Sequence, residues 1–385
     1  MNDFSAYELE PSVLFVGENV HFVSFASDSS VFTASTLEPQ NYLKIYNLIS
    51  SAGSVDNESS KAIGKTLTLS PRSSNEYKIS GEPTKLTTET TSQLGFCSTS
   101  QGDVFFVNKL LEETSEARGV MTHIWKNVHA NMASSNTFDQ KFTSLVSFGD
   151  NNTIALMQTD DYSKVQRVKN PSGSVPFCCR FSSANCILTG DLLGHNVLFD
   201  LREQSTPLKF APPQSANKTR HFSKNMVSGV TCLDVKPDQP DVVACGMENG
   251  EVYMWDLRNV SSPVSYFEGH ERSLWDIKFH PSNCALLYTA SENGELWQWG
   301  SSQSKSTTDF LSRSQLNMSS ASTNQNARNG PSNHDVWNSS TNEICVDSLL
   351  PENNVFGVLS LSVMNSNLVC AVRNQSVFVF SGISF

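Results

Sequence analysis

Apolar and polar residues alternate with a period of two through most of this 385-residue chain, and the three-four spacing of a helix is hard to find anywhere. Two stretches show the pattern most clearly: VVACGMENGEVYMWDLRN, residues 242–259, and LLYTASENGELWQWG, residues 286–300. Each reads as an apolar strand with small residues, a polar turn containing Asn-Gly, and a second alternating strand that finishes at a Trp. Asn-Gly between alternating runs predicts a hairpin, here with a type I′ turn whose two central residues need positive φ.

Aligning on the glycine and the closing aromatic finds further copies. CILTGDLLGHNVLFDLR ends at Phe199 and Asp200, FCSTSQGDVFFVNK at Val107 and Asn108, ASTLEPQNYLKIYN at Tyr46 and Asn47, and LVCAVRNQSVFVFS at Phe380 and Ser381. A seventh copy falls at TIALMQTDDYSKVQRV, residues 153–168, where the turn lacks glycine and the last strand is poorly defined. The shortest clear step between closing residues, from 255 to 299, is 44 residues. A four-stranded propeller blade takes about 40–45 residues. The expected fold is therefore all-β, a seven-bladed β-propeller formed by residues 1–385 as a single domain. The run SVLFVG, residues 12–17, has no blade of its own. It is expected to pair with the C-terminal blade, placing SVFVFSG inside that blade, because closing the ring removes exposed strand edges.

Two stretches interrupt the ladder. Residues 301–340 carry 24 Ser, Thr, Asn or Gln among 40 positions, a composition with too little apolar surface to order itself, and read as a low-complexity, disordered insertion between blades. Phe310 and Leu311 form an apolar knot within it and are candidate partner-docking residues. Residues 48–80 read as a Ser-rich loop in which KTLTL could form a strand, and Ser70 before Pro71 could accept a proline-directed phosphate.

Charge and motifs narrow the function. With 27 Lys+Arg against 38 Asp+Glu, the net charge of −11 opposes direct nucleic-acid binding. No apolar run is long enough for a membrane span, and the acidic start MNDFSAYELE lacks the basic region of a signal peptide, so a cytosolic or nuclear protein without membrane insertion is expected. In such a compartment the nine cysteines read as buried small hydrophobes. Cys178, Cys179 and Cys186 lack metal-ligand spacing, and no phosphate-cradling or GxSxG motif occurs, so no metal, cofactor or small-molecule substrate is expected. His270, Asp276 and Ser291 supply the side-chain types of a serine hydrolase, but a triad is defined by placement. Asp276 lies on an alternating strand six residues past His270, and no enzyme is expected.

The Gly-His opening at Gly269 and His270, together with the Trp-Asp closing at Trp255 and Asp256, resembles WD repeats. Trp275 and Asp276 follow Trp255 and Asp256 by only 20 residues, too soon to close another blade, so Trp299 closes this one. The resemblance implies a structural hydrogen-bonded tetrad of His, Ser or Thr, acid and Trp. The matching positions are His270, Ser291, Asn293 and Trp299, with Asn replacing the usual acid.

More specifically, SLWDIKFHPSN with YTASENGELWQW (273–299), TDFLSRS (308–314), DSLLPENN (347–354) and LVCA (368–371) resemble the 43-kilodalton WD-repeat nucleoporins. Weaker agreement runs back to FCSTSQG at 96–102. This resemblance implies a non-enzymatic scaffold subunit of the Y-shaped outer-ring complex of the nuclear pore, with other nucleoporins of that complex as partners. It implies location at the nuclear envelope and pore, support of pore assembly and of mRNA and protein transport, and, as in animals, a visit to kinetochores in mitosis. Phe-Gly occurs only at Phe148-Gly149 and Phe356-Gly357, unlike barrier-forming nucleoporins. The alternative is a substrate receptor of a cullin-type ubiquitin ligase, because Trp255, Asp256 and Arg258 fit the WDxR pattern of such receptors.

Overall fold

The computed structural model describes residues 11–51, 66–108, 121–139, 144–183, 185–202, 207–213, 228–301, 344–350 and 356–383. Its strands form seven antiparallel sheets arranged as the blades of a propeller. Blade 1 contains β2 (Asn19–Ser27), β3 (Ser30–Leu37), β4 (Gln40–Ser51), β5 (Thr66–Leu69) and β6 (Asn75–Ile79). Blade 2 contains β7 (Pro83–Glu89), β8 (Leu94–Thr99), β9 (Val104–Asn108) and β10 (Met121–Trp125), and blade 3 β11 (Ala133–Asp139), β12 (Ser144–Gly149), β13 (Thr153–Gln158) and β14 (Val165–Lys169). Blade 4 contains β15 (Pro176–Phe181), β16 (Cys186–Asp191), β17 (Asn196–Asp200) and β18 (Leu208–Phe210), and blade 5 β19 (Val230–Val235), β20 (Val242–Met247), β21 (Glu251–Asp256) and β22 (Ser265–Glu268). Blade 6 contains β23 (Leu274–Phe279), β24 (Leu287–Ser291), β25 (Leu296–Ser301) and β26 (Ile344–Ser348). Blade 7 is built from β27 (Val358–Met364), β28 (Asn367–Val372), β29 (Ser376–Ser381) and the N-terminal β1 (Ser12–Phe15).

The alternation that marks the strands also builds the core. Each blade is buried on both faces, and the described residues form seven hydrophobic clusters, one between each neighbouring pair of blades. The closing aromatics Trp255 and Trp299 are among the largest fully buried side chains, on the third strands of blades 5 and 6. β1 pairs antiparallel with β29, Ser12 opposite Val379 and Phe15 opposite Ser376, so β29 lies inside the last blade and the ring is closed.

Three expectations are corrected. The tight turns are not type I′: Gly250 and Gly294 take positive φ (87° and 94°), but Asn249 and Asn293 do not. The Gly294 N–H donates to Ser291 O at 3.2 Å and Ser291 N–H to Glu295 O at 2.9 Å. That is a three-residue loop in which a single left-handed glycine follows a type I turn. Blade 3 is complete. Its tight turn lies upstream of the one read from sequence, between β12 and β13, and Asn152 (φ 61°) takes the left-handed position that Gly102, Gly194, Gly250 and Gly294 fill in blades 2, 4, 5 and 6, which Asn tolerates better than most residues. Residues 48–80 hold the expected strand at KTLTL, β5, and also two stretches of strand where loop is expected, the end of β4 to Ser51 and β6. The first half of β4 pairs with β6 and its second half with β5.

Candidate functional site

The chemistry-bearing residues of blade 6 sit where its first strand enters from blade 5. Gly269 precedes His270 because a Cβ there would lie 2.6 Å from the ring of Trp299. His270 then docks on the preceding blade's turn: its N–H donates to Gly250 O at 3.3 Å, and its own carbonyl would stand 2.0 Å from a Cβ at Gly250. The imidazole, fully buried, pairs through Nδ1 with Glu295 Oε2 at 2.8 Å and through Nε2 with Thr289 Oγ1 at 2.7 Å. Trp299 Nε1 donates to the same Thr289 Oγ1 at 2.8 Å, while Trp297 stacks on the imidazole with centroids 4.1 Å apart.

The network therefore runs Trp299, Thr289, His270, Glu295, and Ser291 and Asn293 are not in it. The Ser291 hydroxyl donates instead to the carbonyls of Ser273 (3.3 Å) and Arg272 (3.4 Å), and Asn293 Oδ1 is buried without a hydrogen-bond partner. Strand register is the reason. Leu287 lies opposite Trp299 and Thr289 opposite Trp297, which brings the Thr289 hydroxyl, not that of Ser291, under the indole. The blade thus has its acid, at Glu295, the first residue after the turn.

The carboxylate at Nδ1 fixes the protons. Nδ1–H donates to Glu295, Nε2 accepts from the Thr289 hydroxyl, and the Thr289 oxygen accepts from the indole. Burial lowers the pKa of His270, and Glu295 offsets this only in part, so the ring is neutral in the fold.

His270, Asp276 and Ser291 therefore form no triad. Asp276 is buried at the inner strand and clamps blade 6 to blade 7, its Oδ2 accepting from Leu361 N–H at 3.0 Å and its Oδ1 pairing with Lys278 at 3.1 Å. Burial pushes its pKa up, but the cations of Lys278, Lys85 and Arg180 outweigh this and hold it low. One blade earlier Asp234 does the same, accepting from Phe279 N–H at 2.8 Å and pairing with Arg180 at 3.3 Å.

A second lock escaped the sequence reading. In blade 3, His129 Nε2 pairs with Ser147 Oγ and Nδ1 with Thr153 Oγ1, both at 3.0 Å. Register makes Ser147 and Thr153 the counterparts of Thr289 and Glu295. No glycine precedes His129 and Met157 stands where Trp299 would, so the usual signature is missing; the one signal in the sequence was a lone His ahead of a strand. At the Thr289 position blades 2, 5 and 7 carry Cys97, Cys245 and Cys370, each fully buried. Burial pushes the Cys97 thiol up to about 12, so these are inert packing groups.

Arg258 of the WDxR pattern turns back on its own blade, its Nε 2.8 Å from Asp256 Oδ1 and its Nη2 2.6 Å from Oδ2. Arg202 and Asp200 repeat this fork in blade 4 at 3.1 and 2.6 Å, and Trp255 is buried. The fork is a local feature that closes a third strand. Phe310 and Leu311 lie outside the described residues.

A closed ring of seven antiparallel sheets, six of four strands and one of five, carrying a Trp-Thr-His-Glu network in blade 6, defines a WD-repeat β-propeller. The family model for "WD domain, G-beta repeat" matches residues 217–256 and 261–300, the second stretch spanning this network. Nucleoporin Nup43 of Mus musculus is 30% identical over 243 residues, and that of Homo sapiens 30% over 246, each alignment covering 61% of this chain and 61% of the relative. The nuclear pore complex protein nup43 of Dictyostelium discoideum is 27% identical over 168 residues, covering 43% of this chain and 37% of that protein. The chain is a homologue of nucleoporin Nup43, aligned with less than two thirds of the length of these relatives.

Proposed function

We propose that this chain is a non-enzymatic scaffold subunit of the nuclear pore, residing in its Y-shaped outer-ring complex at the nuclear envelope. There it contacts other nucleoporins of that complex and supports pore assembly and the transport of mRNA and protein, and it follows the complex to kinetochores in mitosis. The observation that carries the reading is the similarity to Nup43 from mouse, human and slime mould, borne on a closed propeller. The geometry supports it: His270 and Asp276 are committed to contacts with the neighbouring blades and Ser291 to carbonyls of its own blade. A propeller so locked offers rigid surfaces, and a scaffold interface needs little more than shape and a few anchors. The ligase-receptor reading is not favoured, because Arg258 is held by Asp256 in a fork that Arg202 and Asp200 repeat.

The test is to tag the protein in its own cells. A nuclear-rim signal with Y-complex subunits co-purifying is the expected result. A diffuse signal with a cullin adaptor in the eluate would replace it with the rival.

A further inference from the structure

Where blades 4, 5 and 6 meet at one mouth of the ring, a groove of about 290 Å³ opens between the starts of β15, β19 and β23 and the tight turns of the same blades. One wall is apolar. Phe177 is 42% and Leu192 53% exposed, Leu193 beside it 60%, and Trp275 lines the floor. Large side chains left this open on a β-propeller whose other aromatics are mostly buried mark an interaction surface. Three exposed carboxylates also line the groove, Glu248 of blade 5 and Glu271 and Glu292 of blade 6, none in an ion pair with a described cation. Among the described residues Arg272 is the one cation lining the groove. Outside it, Arg373 holds its guanidinium 6.0 Å from the Trp275 ring. The rim is thus acidic even when both cations are counted, on a chain already acidic overall.

We propose that this groove docks a basic peptide segment of a partner protein, one that presents an Arg or Lys beside an apolar side chain. Pockets for drug-sized ligands run from roughly 300 to 1,000 Å³, so this one holds a side chain or two and not a cofactor. An Arg fits both halves of the site, its guanidinium reaching the carboxylates and its stem and plane lying on Phe177 and Trp275. Peptide carbonyls and neighbouring apolar groups would cover Leu192 and Leu193. The proposal does not depend on the nuclear-pore reading, since it names only the chemistry of the bound segment.

The test is fluorescence anisotropy with the purified full chain and a labelled peptide of repeating arginine, leucine and serine, set against a twin with glutamate for arginine. The expected result is binding of the arginine peptide alone, weakened about tenfold or more in Glu248→Lys/Glu271→Lys/Glu292→Lys and again in Phe177→Ser, with both variants melting as the parent does. Equal binding of the two peptides, or an unchanged affinity in the charge-reversed variant, would overturn it. Self-association in analytical ultracentrifugation that Phe177→Ser abolishes would assign the groove to a second copy instead. Residues 214–227 include Lys218, Arg220, Lys224 and Phe222, so one more variant is needed. Should replacing those three cations by Ser tighten peptide binding, the groove belongs to the chain's own segment and the proposal fails. Because every arm uses purified protein, mislocalisation in cells would leave the result standing.

Discussion

Replacing Thr289 by Val removes one oxygen and keeps the shape of the side chain. That oxygen takes the Trp299 indole N–H at 2.8 Å and gives its own proton to His270 Nε2 at 2.7 Å. Both groups lie where water does not reach, Trp299 being 1% exposed and the His270 side chain 0%. A buried donor or acceptor left without a partner costs about 1–3 kcal/mol, so two of them cost about 2–6 kcal/mol. For a chain of this length each kcal/mol lowers the melting temperature by roughly 2 °C, which puts the loss at about 4–12 °C. Urea and thermal melts followed by tryptophan emission would report it directly, since Trp297 and Trp299 both face the lost hydroxyl. Ser291→Ala is the control. Its hydroxyl makes only longer bonds, of 3.3–3.4 Å, to two carbonyls, and its loss should cost about 0.5–1 kcal/mol. If Ser291→Ala proves as damaging as Thr289→Val, the lock has been assigned to the wrong residue.

Two further outcomes follow from the same geometry. Burial, with Arg167 nearby, lowers the pKa of His129 from 6.5 to about 4, so the unfolded chain takes up a proton that the fold refuses. The stability this supports is intact above pH 6.5 and is lost as pH falls from there to about 4, by about 3 kcal/mol; urea melts across that range should show the slope, and His129→Asn should flatten it. In blade 5, Trp255 Nε1 is buried without an acceptor, and Cys245 occupies the position that Thr289 holds in blade 6. Cys245→Thr should therefore stabilise the protein by about 1 kcal/mol, seen as a raised melting temperature, and a fall would mean that the hydroxyl cannot reach the indole.

The blades were readable in the sequence because most third strands carry a large buried residue followed by a polar one, as at Tyr46, Phe199, Trp255 and Phe380. The lock was readable only to within two residues. Thr289 and Ser291 share a face of one strand, so alternation cannot choose between them, and the choice depends on which residue of the neighbouring strand lies opposite. Glu295 escaped because the turn was expected to be two residues long, which drew attention to Asn293. The split outer edge of blade 1 could not be foreseen either: β4 changes partner midway, from β6 to β5, with no break in its own pattern. The docking groove is assembled from three blades, and nothing in local sequence brings Phe177 near Glu271.

β5 also lies across the seam between the last blade and the first. Leu67 N–H donates to Ser381 Oγ at 2.8 Å, and Ser12 Oγ donates to Leu67 O at 2.7 Å, so one short strand holds both β29 and β1. The seam joins residues as far apart as Ser12 and Val379. During synthesis β1 cannot pair until its partner β29 has been made, whereas β5 can pair with β4 at once and waits only for its contacts with the last blade. Six blades can take shape as they appear, but the ring can lock only after β29 has been made, with the slow, long-range pairing that such a closure demands. Until then β1 is an unpaired strand and β29 an open edge, the kind of surface that invites pairing with another chain.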